Sequence, residues 1–180
     1  MAGIAWRWQS IDGAVVKAPL AQESVGPNPT DRGKNGSKRM LLVDEHGIPL
    51  SLIVTGANRH DVSQLAATLD AVVVPRKPVG PRAPQHVCAD AGFVGDPALH
   101  EMCMQEYTPH VRPRGEGTER DQGKRARRWV VEVAHSWLNR FRKLLVRYEK
   151  THRAYVALNM LAAAIITFRS SPGKVTIIYG

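Results

Sequence analysis

The stretch from Arg127 to Lys150 constrains the fold most. Within it Val130, Val133, Ala134, Trp137, Leu138, Phe141, Leu144, Leu145 and Tyr148 recur at intervals of three and four residues. That spacing lays one apolar stripe along an α-helix, so the chain must build a core against which a long amphipathic helix can lie. Trp137, Phe141 and Trp129 beside them are read as core residues. On the opposite side Glu132, Ser136, Asn139, Arg140 and Lys143 follow one another as a polar stripe. A further helix from about Arg153 to Arg169 is apolar on most sides and is expected inside the core.

The elements before this helix read as strands. Residues 8–20 hold Ile11, Val15 and Val16 around Asp12 and Gly13, a strand carrying an acid and ended by Pro19. Residues 21–36, rich in Gly, Pro, Asn, Asp and Ser, read as a loop. Met40–Val43 and Ile48–Thr55, separated by Asp44, Glu45, His46 and Gly47, predict a hairpin. Asp61 is placed as the N-cap of a helix over Val62–Val74. After the Pro-rich run 75–84, Gln85–Asp90 predicts a short buried strand ending at Asp90. Pro97–Glu106 predicts a helix, Tyr107–Arg112 a short strand, and 114–125 a polar loop.

This order, an acid-bearing strand, a hairpin, a helix, a strand ending in an acid and a long helix with a third acid, predicts an α/β fold. It would be a ribonuclease H-like mixed sheet, with an antiparallel hairpin plus parallel strands, flanked by helices. At 180 residues, 43% hydrophobic and 23% charged, the chain is expected to form one domain over 1–169, with 170–180 as an unstructured tail. Acids at the ends of parallel strands converge on one crevice, which would bring Asp12 and Asp90 side by side, with Glu132 facing them from the helix.

Charge supports a polyanion partner. The formal net charge is +9 and the isoelectric point about 10.0. Between Arg112 and Lys150 twelve basic residues stand against five acidic ones, so most of the surplus is local to one stretch. Arg112, Arg114, Arg127, Arg128, Arg140 and Lys143 are candidates to hold phosphates of double-stranded DNA. Three carboxylates suit a hard divalent cation, Mg²⁺ or Mn²⁺. Two such cations about 4 Å apart can activate a nucleophile and neutralise the leaving oxygen of a phosphodiester. Two cysteines, Cys88 and Cys103, lack metal or disulfide spacing, and the longest apolar run, Leu161–Ile166, is too short to span a membrane. A reducing, cytoplasmic setting is expected.

Taken singly, each acid has a plainer role. Asp12 reads as a turn or surface acid and Asp90 as a turn cap. Glu132 reads as a helix residue paired with Arg128, a contact worth about 0.2–0.5 kcal/mol.

Four segments tie the acids together: Gly26–Asp61 (GPNPTDRGKNGSKRMLLVDEHGIPLSLIVTGANRHD), Cys88–Asp96 (CADAGFVGD), His110–Gly117 (HVRPRGEG) and Arg127–Glu149 (RRWVVEVAHSWLNRFRKLLVRYE). In order and separation they resemble the DDE transposases of the bacterial insertion-sequence four/five group, from about Trp8 to Arg169. The resemblance implies that Asp12, Asp90 and Glu132 are the catalytic, metal-holding acids, with Arg128 the arginine that precedes the third acid. It further implies metal-dependent cleavage at transposon ends and joining of the freed 3′ hydroxyls to a target, by a homo-oligomer on DNA.

The sequence departs from that pattern at Ala91, Gly92 and Phe93 after the second acid, at Val133 and Ala134 after the third, and at Asn139 and Arg140 where a lysine is common. Arg140 is expected to take over that phosphate contact. Only eleven residues precede Asp12. The N-terminal DNA-binding domain of such enzymes is therefore expected to be absent, supplied by an upstream reading-frame product, or lost. The alternative is a catalytically inactive, truncated remnant that only binds DNA.

Overall fold

A computed structural model of the chain describes residues 3–111, 127 and 129–170. Its centre is strand β1 (Trp8–Lys17), flanked by antiparallel β3 (Asn35–Asp44) and parallel β5 (His86–Ala89). Beyond β3 lie β4 (Pro49–Gly56) and the two-residue β2 (Gly26–Pro27), both antiparallel to it, and beyond β5 lies parallel β6 (Thr108–Val111). The order β4-β3-β1-β5-β6 is the ribonuclease H-like mixed sheet expected from the sequence.

Side-chain alternation along the strands divides the core in two. On one face Ile11, Met40, Leu42, Val87 and Ala89 pack against helices α1 (Leu65–Asp70) and α2 (Asp96–Met104). On the other Val16, Leu41, Val43, Leu52 and Val54 pack against α3 (Trp129–Asn139), α4 (Arg142–Leu145) and α5 (His152–Ser170). Leu50 breaks the alternation: Leu42 pairs with Ser51 and Val43 with Pro49, so Leu50 is the extra residue of a β-bulge and joins the first core.

Three expectations are corrected. The helix predicted over Arg127–Lys150 stops at Asn139, and after an extended Phe141 a separate turn, α4, carries Lys143. Val146 then bridges to Lys17 of β1. The apolar spacing continues through the break because α4 also buries Leu144, so periodicity alone does not reveal the interruption. The polar stripe is therefore divided, with Glu132 and Ser136 on α3 and Lys143 on another element.

Asp61 makes no side-chain cap; its carboxylate is drawn to Lys38 of β3, and the helix after it is a 3-10 turn followed by six residues of α1. Lys38 and Asp61 sit close to β1 at Gly13, where a β-carbon would lie 2.7 Å from the Met40 sulfur and 3.0 Å from Asp61 Oδ1. Trp129 is exposed rather than core, whereas Trp137 and Phe141 are partly buried against the second core. The polar loop 114–125 and the tail from 171 lie outside the described residues; α5 includes Ser170, one residue past the expected boundary.

Candidate active site

Asp12 occupies β1 just past the last residue paired with β5. The parallel register runs Trp8 with His86, Gln9 with Val87 and Ser10 with Cys88. Two residues beyond Ser10 is Asp12, and two beyond Cys88 is Asp90, whose backbone is still extended (φ −79°, ψ 177°). Each aspartate thus stands two residues past the last β1–β5 pair, on neighbouring strands whose ordinary spacing is about 5 Å. Alternation sends both to the sheet face on which α3 packs, since Asp12 shares parity with Val16 of that core, and Asp90 opposes Ala89 of the other.

Two contacts hold α3 over β1. The Ser10 hydroxyl donates to the Arg127 carbonyl at 3.1 Å, just before the helix, and His135 Nε2–H donates to the Asp12 carbonyl at 3.4 Å. Glu132 lies on α3 between these anchors, exposed in its first turn, where a negative charge suits the helix dipole. The third acid thus stands over the strand carrying the first.

Local bonds orient the two aspartates. Asp12 Oδ1 accepts from the Gly13 N–H at 2.8 Å, and Asp90 Oδ1 accepts from the Gly92 N–H at 2.7 Å, capping a 3-10 turn over Ala91–Phe93. The turn-cap role read from sequence is therefore real for Asp90. It accounts for one oxygen and not for the register with Asp12. Among the described residues no three His, Cys, Asp or Glu side chains are grouped as a metal site. The acids border one face of the sheet without closing into a three-ligand cage. Their chemistry, carboxylate oxygen from three separate elements, suits a hard divalent cation.

The Transposase DDE domain family matches residues 9–167. A transposase proposed for insertion sequence element IS402 of Burkholderia cepacia is 37% identical over 149 residues, 81% of this chain and 69% of that protein.

The chain belongs to the DDE transposase family.

The catalytic core domain of BIV integrase is similar at a TM-score of 0.44 and 11% identity, covering 96% of this chain and 88% of that one. The fold of this DDE domain is taken from its own strand order.

The basic candidates separate. Arg112, Arg114 and Arg128 lie outside the described residues. Arg127 lies at the start of β1: its guanidinium is 4.5 Å over the Trp8 ring and 3.7 Å from Glu45. Arg140 follows the last turn of α3, eight residues and about 12 Å of helix rise from Glu132. There it lines a pocket of about 480 Å³ with Trp137, Phe141, Ile166, Arg169 and Ser170. Lys143 is exposed on α4.

Beneath the acids lies a buried polar layer that the sequence reading did not single out. Arg39, opposite Ala14 on β3 and fully buried, donates through Nη2 to Asn139 Oδ1 at 2.6 Å, tying β3 to the end of α3. Burial lowers its pKa, partly opposed by the Tyr155 hydroxyl. His135 is buried beside it, and burial, with the Arg39 charge adding to it, holds the imidazole pKa down to about 4, against the bond to the Asp12 carbonyl. The signal for Arg39 was its even spacing from Leu41 and Val43 on the strand, masked by the rule that charges face solvent.

His135 makes the fold acid-sensitive. Its pKa in the folded chain lies below the ordinary 6.5, so between those values the unfolded chain binds more protons. The stability it contributes is full above pH 6.5 and falls as pH drops towards about 4. The loss is expected to reach about 3 kcal/mol. Urea melts at pH 7 and pH 4.5 should show this slope flattened in His135→Asn; an unchanged slope would remove His135 from the account.

Among the described residues, no helix is long and apolar enough to cross a membrane.

Proposed function

We propose that this transposase domain is a metal-dependent DNA nuclease and strand transferase in which Asp12, Asp90 and Glu132 hold Mg²⁺ or Mn²⁺. The observation that supports the reading is the β1–β5 register, whose last pair, Ser10 with Cys88, lies two residues before Asp12 on one strand and two before Asp90 on the other. Two unrelated acids would have no reason to stand at the same step past that pair.

Bound there, divalent cations would supply a nucleophile active near neutral pH and neutralise charge at the leaving oxygen. The protein's own work is positional. The Gly13 and Gly92 N–H groups turn each aspartate. Ser10 and the Asp12 carbonyl hold α3, and Glu132 with it, against β1. Arg127 would hold a phosphate neighbouring the one attacked; Arg112, Arg114, Arg128, Arg140 and Lys143 are assigned to phosphates further along the duplex. Hydrolysis would break one P–O bond and leave a 3′ hydroxyl, whose oxygen would then attack a target phosphodiester and displace a second 3′ oxygen.

Double-stranded DNA is the proposed partner, as transposon ends and as target, with the chain acting as a homo-oligomer on it. Residues 1–169 would be the catalytic unit.

The test incubates the purified chain with labelled duplex DNA and Mg²⁺ or Mn²⁺, beside a chelator control. Nicking that needs the metal is expected. DNA binding with no metal-dependent nicking would overturn the reading in favour of a DNA-binding remnant.

A further inference from the structure

Among the described residues, the sheet face toward which Asp12 and Asp90 are directed is only partly roofed. Among the described residues α3 packs on β1 and β3, α4 on β1 and α5 on β4, with no comparable helix packing on β5 or β6 on that side. The strands there present rings. Trp8 and His86 are register partners two strand positions before Ser10 and Cys88, and His110 of β6 pairs with Cys88. All share the parity of Asp12 or Asp90.

The rings form one connected surface. Trp8 and His86 stack with centroids 4.2 Å apart and planes 20° apart; His110 lies 4.8 Å from Trp8, tilted 45°. His86 Nδ1 and His110 Nε2 are 3.0 Å apart, a hydrogen bond that requires one nitrogen to accept. His110 is exposed, and the Arg127 side chain, 47% exposed, covers Trp8.

We propose that His110, Trp8 and His86, edged by Arg127, form a stacking platform for an unpaired base of the DNA strand held at Asp12 and Asp90. The proposal rests on the nuclease reading for its location and on the ring cluster for its chemistry. Partial burial, with the nearby Arg7 and Arg127 charges and His110 acting on His86, depresses both imidazole pKa values, so the rings present neutral π-faces near pH 7. Arg127 supplies the positive charge that suits a neighbouring phosphate. Neutral rings beside an arginine are the combination that binds single-stranded nucleic acid, by stacking with little regard to base identity.

Position favours a base over a protein side chain. Trp8 and His86 precede the acids by four residues, about 13 Å of strand, and His110 stands level with Cys88, about 7 Å away. At about 3.4 Å per nucleotide of one strand, the platform lies two to four nucleotides from the phosphate at the acids. A base that close to a cut end can leave its stack at modest cost. The plainer reading, a cross-strand cluster that only stabilises the sheet, predicts no dependence on unpaired bases.

The test measures binding of the whole chain, with chelator present, to a blunt duplex and to the same duplex bearing a four-nucleotide 3′ overhang. Chelator removes cleavage, so failure of the nuclease reading would be seen in the cutting assay and not here. The chain is expected to prefer the overhang, and His110→Ala to weaken overhang binding about ten-fold while leaving blunt-duplex binding within two-fold. His110→Phe, which keeps a π-face, should restore the preference, and an abasic site at one overhang position should reproduce the loss in wild type only. Equal binding of the overhang by His110→Ala and wild type, or equal losses on both DNAs, would overturn the platform.

Discussion

Asp90→Ala is expected to lower metal-dependent DNA cleavage by at least about a thousand-fold while leaving the fold intact. Asp90 follows β5 two residues past its last residue paired with β1, as Asp12 does on β1, so in the proposed site its removal takes away one of two metal-holding aspartates. Charge stabilisation by a bound metal is worth several kcal/mol, and each 1.36 kcal/mol is about a factor of ten in rate. The structural cost is small by comparison. Asp90 accepts one bond, from the Gly92 N–H, as cap of a single 3-10 turn, a contribution of about 1 kcal/mol. The turn keeps its other anchor, Phe93, which is fully buried in the first core. Cleavage assays beside thermal melts separate the two effects. Cleavage within ten-fold of wild type would remove Asp90 from the site, and a collapsed melt would mean that the cap, not the ligand, is its main role.

Arg147→Ala is expected to cost about 2–5 kcal/mol of stability, a large part of what a domain of this size has. The residue sits in the stretch after α3 that had been expected to continue as helix, and it explains why the stretch does not. Its side chain is fully buried. Nη1 donates to Ser37 Oγ at 2.8 Å and to the Ser24 carbonyl at 3.1 Å, and Nε donates to the Glu149 carbonyl at 3.1 Å. The guanidinium lies 5.1 Å over the Tyr155 ring, and the Arg147 N–H donates to the Lys17 carbonyl at 2.8 Å.

One side chain thereby joins the start of β3, the loop before β2 and α5, while its own N–H holds the end of β1. Alanine would remove the guanidinium donors to Ser37 Oγ and to the Ser24 and Glu149 carbonyls and open a cavity beside Tyr155. Arg147→Lys keeps the charge but not the fork of donors, and should recover only part of the loss. Chemical denaturation checks both variants; a loss below about 1 kcal/mol for alanine would contradict this role.

The sequence reading reached the sheet order because its signals are local. Ile11, Val15 and Val16 around Asp12, the hairpin turn at Asp44–Gly47 and the run Gln85–Asp90 each announce an element by alternation or turn chemistry within ten residues. The turn is held as its composition implies. Asp44 accepts from the His46 and Ile48 N–H groups at 2.9 Å, and Gly47 takes a φ of +83°. The three acids were legible only through the resemblance, since each alone has an ordinary local explanation, and two of those explanations, the bonds at Gly13 and Gly92, are present in the structure.

What a linear pattern does not contain is register between distant strands and the identity of buried polar groups. The alignment of Asp12 with Asp90 depends on which residue of β1 meets which residue of β5, 78 positions away, and one step of slip would send one acid to the opposite face. The break after Asn139, the burial of Arg39, His135 and Arg147, and the meeting of Trp8, His86 and His110 likewise follow from long-range packing. By itself, then, the sequence determined the elements, their order and the residue types available for chemistry. The tertiary structure decided which of them share a face, because side-chain periodicity sets direction within an element while only pairing between elements sets position.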